Sequence, residues 1–128
     1  MARGRRVLLE RFHSDSYRRP SGPLWQPAVD VYKTPDGWKI KFDLAGVKPN
    51  DVEVVLLDGR IVVRGVRRDS VISEGWSYYQ LEITYSRFER VLQIPCDLSN
   101  AEIKTESCDG WFILNVTGCS SNKGYQEK

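Results

Sequence analysis

"DVEVVLLDGRIVVRG", residues 51–65, decides the fold. Asp58-Gly59 supplies the positive φ angles of a two-residue hairpin turn, and β-branched residues crowd both flanks. Counting back from the turn sets Leu56 opposite Ile61, Val54 opposite Val63 and Glu53 opposite Arg64. One face of the hairpin is then aliphatic. The other carries a cross-strand ion pair and Val55 opposite Val62. The stretch holds no reactive constellation.

The flanking sequence repeats the pattern. "IKTESC" and "WFILNV" surround Asp109-Gly110, a second turn of the same chemistry, with Ile103, Thr105 and Ser107 sharing a face with Phe112, Leu114 and Val116. On the other side, Val29 and Val31 alternate with Asp30 and Tyr32. "TPDG" at 34–37 reverses the chain, and "WKIKFDL" puts Trp38, Ile40, Phe42 and Leu44 on one face and Lys39, Lys41 and Asp43 on the other. "SRFERVLQIP" sets Phe88, Leu92 and Ile94 on one side. Short strands separated by turns, with no helical pattern of useful length after residue 27, predict an all-β, immunoglobulin-like antiparallel β-sandwich. The expected organisation is a basic, flexible arm over 1–27, the β-domain over 28–118 and a short, flexible tail over 119–128. Within the arm, "RRVLLERF" (5–12) has the pattern of a short amphipathic helix.

At 128 residues the chain suffices for one domain with a modest core. No apolar run approaches the roughly 18 residues of a membrane span, and "VLL" at 7–9 is too short for a signal peptide's apolar region. This reading places the protein in the cytoplasm. Cys96, Cys108 and Cys119 are odd in number and lack CxxC spacing, so they read as free thiols in a reducing compartment, without disulfide or zinc. A net charge of +2 gives no argument for nucleic acid. The local excess of Arg3, Arg5, Arg6, Arg11, Arg18 and Arg19 in the arm reads first as a solvated segment and second as a patch for an anionic partner. The one histidine, His13, lies in the arm, and no glycine-rich phosphate loop opens a helix. Asp30 and Asp43 sit on solvent faces, so neither catalysis nor a cofactor is expected.

One segment does not fit a plain sandwich. "DSVISEGWSYYQLEIT", residues 69–84, is a long connection whose second half alternates Tyr79, Leu81 and Ile83 with Gln80, Glu82 and Thr84. A strand so far from the main sheet either folds back as its own edge strand or pairs with a second copy. Exchange covers two edges at once and predicts a symmetric dimer. Arg90 shares a face with Phe88 and Leu92, so its guanidinium needs a carboxylate or carbonyl partner, in its own chain or across the dimer interface.

The three segments 27–65, 78–95 and 103–116 together resemble the α-crystallin domain of small heat shock proteins, a likeness covering residues 27–118. "DLAGVKPNDVEV" resembles the family's aspartate–leucine–proline–glycine–valine stretch, with Ala45 in place of proline. "SRFERVLQIP" is similar to its phenylalanine–x–arginine strand and places Arg90 on the family arginine. "KTESCDGWFIL" resembles its alanine–x–x–x–asparagine–glycine–valine–leucine signature, with Thr105 and Trp111-Phe112 as departures. The 69–84 segment resembles the loop of bacterial, archaeal and plant members, which carries a swapped strand; Tyr79 and Glu82 match its tyrosine and glutamate.

The resemblance implies an ATP-independent holdase that keeps partly unfolded clients soluble. It also implies a dimer interface at Tyr79, Leu81, Glu82, Ile83 and Arg90. A hydrophobic groove for clients or peptides is expected at Val52, Val54, Leu56, Ile103 and Thr105. The family's isoleucine–x–isoleucine tail motif is missing from "TGCSSNKGYQEK", which predicts a dimer, a small oligomer or co-assembly with other small heat shock proteins. Val7 and Leu9 have the spacing to fill the groove instead. The alternative reading is a monomeric interaction module of the Hsp90 co-chaperone type, which lacks the exchanged strand.

Overall fold

The computed structural model describes residues 24–121. The expected arm helix, His13 and the Val7–Leu9 plug lie outside the described residues. Within them the chain builds two antiparallel sheets. Strands β1 (Val29–Thr34), β2 (Gly37–Asp43), β7 (Glu102–Cys108) and β8 (Trp111–Thr117) form one, ordered β1-β2-β8-β7. Strands β3 (Val52–Leu57), β4 (Arg60–Val66) and β5 (Arg87–Leu92) form the other, ordered β3-β4-β5. A two-stranded pair, β6 (Cys96–Asp97) with β9 (Ser120–Ser121), completes the fold.

The registers follow from the turns. Asp58 and Gly59 take φ of 53° and 76°, Asp109 and Gly110 take 51° and 85°, and these left-handed pairs match the right-handed twist of hairpin strands. Leu56 faces Ile61, Val54 faces Val63 and Glu53 faces Arg64, as the sequence predicts. Ile103 faces Val116 and Ser107 faces Phe112, also as predicted. At the first reversal the Gly37 N–H donates to Thr34 Oγ1 at 3.0 Å, closing the "TPDG" turn.

Ile40, Phe42, Ile61, Val63, Phe88, Ile103, Leu114 and Val116 meet between the sheets, each nearly inaccessible to water. Burying this many aliphatic and aromatic side chains, at roughly 25 cal/mol per Å², is the main force closing the sandwich. Gly65 lies where β4 passes the entry to β3: a Cβ there would run into the Asp51 carbonyl and come within 2.8 Å of Phe88 Cζ. The second face of the β3–β4 hairpin is buried too. Val55, Val62 and Val66 are inaccessible, and so is Glu53, whose Oε1 accepts from Arg64 Nε at 3.0 Å. The pairing is legible in the sequence; the burial is not.

Two cysteines depart from expectation. Cys96 and Cys119 are joined in a disulfide with Cα atoms 5.8 Å apart, so the free-thiol reading holds for Cys108 alone. The reason is topological. The β7–β8 hairpin returns the chain to its starting end, and β9 then pairs with β6, Cys96 opposite Ser121. Spacing along the sequence cannot reveal such a return. The argument from free thiols to a reducing compartment goes with it.

Candidate interaction surfaces

The chain between Val66 and Arg87 forms no strand, and its apolar side chains face outward. Tyr79 is 98% exposed, Leu81 59% and Ile83 60%, joined by Val71, Trp76 and Tyr78. A hollow of about 220 Å³ opens among them, lined by Val71, Ile72, Trp76, Leu81, Ile83 and Tyr85. Clustered exposed apolar side chains of this kind are the common surface of interaction sites. The segment does not fold back as an edge strand of its own sandwich. Glu82 is exposed and accepts from Gln80 Nε2 at 2.5 Å.

The two feet of this segment are held together. The Arg67 N–H donates to the Ser86 carbonyl at 3.0 Å, and the Arg67 side chain donates to the carbonyls of Thr84 (2.9 Å) and Ala45 (3.2 Å). The guanidinium lies 4.1 Å from the Trp25 ring centroid and 5.9 Å from that of Tyr85. Trp25 in turn packs edge-on against Phe88, donates its N–H to Arg87 and accepts from Glu89 N–H. Trp25 thus runs beside β5 as a short parallel bridge. The sequence hints at this only by placing an aromatic ring between Pro23 and Pro27.

Arg90 finds a carbonyl. Its Nη1 donates to Pro27 O at 2.9 Å, within the same chain, and Pro27 itself is buried. The guanidinium therefore ties the segment before β1 onto β5.

The expected groove residues divide. β3 and β7 are edge strands of opposite sheets, so the two edges stand at the sandwich's margins. Val54 (4% exposed) and Ile103 (1%) point into the core, because alternation on an edge strand also aims side chains between the sheets. Val52 and Leu56 pack partly against that core, and Thr105 is half-buried. Val52 also lines a hollow of about 120 Å³ with Leu44, Val47, Ser107, Trp111 and Phe112, between the 44–49 loop and the β7–β8 turn.

Two absences bear on chemistry. Among the described residues no group of three or more His, Cys, Asp or Glu side chains could hold a metal ion. No helix among them is long and apolar enough to cross a membrane.

Residues 30–128 match the Hsp20/alpha crystallin family, and the chain belongs to it. Similar relatives include the spore protein SP21 of Stigmatella aurantiaca, 28% identical over 77% of this chain and 58% of the relative. The 22.7 kDa class IV heat shock protein of Pisum sativum is 26% identical over 92% of this chain and 60% of its own length. The chain thus spans 58–60% of the length of these two relatives. Among solved structures, heat shock protein 16.0 of Schizosaccharomyces pombe superposes with a TM-score of 0.66 at 22% identity, over 81% of this chain and 94% of that one. A small heat shock protein of Xylella fastidiosa superposes with a TM-score of 0.63 at 21% identity, over 83% and 97%. These likenesses fix the fold as the α-crystallin sandwich.

Proposed function

We propose that this protein is an ATP-independent chaperone that holds partly unfolded proteins and prevents their aggregation, and that its working unit is a dimer made by strand exchange. One observation carries the reading: the alternating run Tyr79–Ile83 is exposed and unpaired with its own sandwich. The same molecule offers a matching edge. β1 is the outermost strand of its sheet, with Val31 and Tyr32 each 43% exposed. A ribbon from one copy laid along β1 of another gains ladder hydrogen bonds and covers apolar surface on both sides. Tyr79, Leu81, Glu82 and Ile83 form the exchanged ribbon. Arg90 supports it indirectly, by holding Pro27 and so the approach to β1.

Clients present apolar side chains with no fixed geometry, so the capturing surface has to be open and weakly selective. The hollow beside Val52 and the flank of the 69–84 segment both answer that description. Family membership supports the chaperone reading, and the shape of the fold supports the exchange. Small oligomers, or mixed assemblies with other small heat shock proteins, extend the same edge pairing.

The test is to heat an unrelated enzyme with excess of this protein and no nucleotide, following light scattering. Suppressed scattering is expected. Unaltered scattering at every temperature and ratio would remove the holdase reading, and a monomeric mass at high concentration would remove the exchange and favour a co-chaperone-like module.

A further inference from the structure

The Cys96–Cys119 pair sits at a mechanical joint. Gly118, at φ 76°, turns the chain immediately after β8, a backbone state that side chains with a Cβ rarely adopt. That turn delivers Cys119 to Cys96 and starts β9 along β6. Cys96 is 6% exposed and belongs to the core cluster with Ile94 and Leu98, while Cys119 is half-buried against that cluster. The β6–β9 pair is only two residues long on each strand. Two ladder pairs do not hold a chain segment against a core, so the covalent bond is the main restraint on residues 119–121.

We propose that Cys96 and Cys119 form a reversible dithiol–disulfide site, with a small dithiol or glutathione as co-substrate, that latches β9 onto β6. In reduction, a thiolate of the co-substrate attacks Sγ of Cys119, the more accessible sulfur. The Sγ–Sγ bond breaks, a mixed disulfide forms on Cys119, and Cys96 leaves as thiolate and takes up a proton. The second thiol of the dithiol, or a second glutathione, then displaces Cys119, which also ends as a thiol. Two electrons and two protons pass to the protein, and the co-substrate departs as its disulfide.

Cys108 stays outside this exchange. It is exposed at the far β7–β8 turn, beside Asp109, whose negative charge raises its thiol above the ordinary value and so keeps it protonated and slow. The consequence of opening the latch is local. Residues 119–121 come away, and the core around Ile94, Cys96 and Leu98 gains access to water. The two large sheets keep every ladder they have.

The experiment takes the full chain through glutathione buffers of graded redox ratio and counts maleimide adducts by intact mass after denaturation. The expected count rises from one, on Cys108, to three per chain as the buffer becomes reducing. Amide hydrogen exchange in the same buffers should speed up at least tenfold over 118–121 and rise over 94–98, leaving 52–66 unchanged. Cys119→Ser should reproduce the hydrogen-exchange pattern of the reduced chain in every buffer, and Cys108→Ser should leave the transition in place. Three free thiols in the most oxidising buffer, a disulfide joining Cys96 to Cys108 or to another chain, or unaltered protection over 118–121 on reduction would each overturn the proposal. None of these readouts involves a client or a dimer, so the latch and the chaperone reading fail separately.

Discussion

Trp38–Leu44 and Tyr79–Ile83 carry the same alternation and meet opposite fates. In the first, Ile40 and Phe42 are fully buried between two hydrogen-bonded neighbours; in the second, Tyr79 is almost wholly exposed and, among the described residues, no strand pairs with the run. The difference lies in what surrounds each stretch. Trp38–Leu44 leaves a tight turn and has β8 waiting on its other side, so the loop-closure cost of pairing is small. Tyr79–Ile83 hangs from a long connection whose feet are pinned at Arg67 and Ser86. Alternation specifies which face is apolar; it does not guarantee that a second face exists within the chain.

That contrast can be broken, or sharpened, by measurement. The largest effect should come from Phe88→Ala, which opens a cavity in the core and costs about 3–5 kcal/mol in chemical denaturation. Trp76→Ala, a comparable loss of ring from the exposed segment, should stay within about 0.5 kcal/mol. Equal costs for the two would erase the distinction between core and exposed segment. Reducing the Cys96–Cys119 bond, which closes a loop of 23 residues' separation, should cost about 3 kcal/mol in the same assay with the core otherwise intact. A cost near zero would mean that the bond restrains nothing the ladders do not already hold. Gly65→Ala comes next at about 1–3 kcal/mol, because the added methyl meets the Asp51 carbonyl, which is backbone and yields little. Last in stability is Leu81→Ser, with a change under about 0.5 kcal/mol. Sedimentation should nevertheless show a loss of dimer. A variant that dimerises normally would remove Leu81 from the exchanged ribbon.

Much of the fold was legible because two Asp-Gly turns set the phase. Once Asp58-Gly59 and Asp109-Gly110 are placed, every cross-strand pair in both hairpins follows by counting, and the structure reproduces those pairs. The family also announced itself, through motifs that lie on strands and on the loops and turns joining them. What stayed hidden depends on contacts between segments far apart in sequence. The Cys96–Cys119 bond needs the chain's return from β8. The burial of Glu53 and Val55 needs something covering an outer sheet face. Val54 and Ile103 sit on edge strands, and only the sandwich in three dimensions shows that their side chains point into the core. Arg90's need for an oxygen partner was readable from its apolar face. That the oxygen would be Pro27's was not, since sixty-three positions separate them.

Trp25 closes the outer margin of β5 with two main-chain hydrogen bonds, and Arg90 continues the closure by binding Pro27. A sheet with two bare margins can add neighbours without end and grow into a fibre; one with a margin already stoppered can add on one side only. For the β3-β4-β5 sheet, lateral growth therefore terminates at a pair.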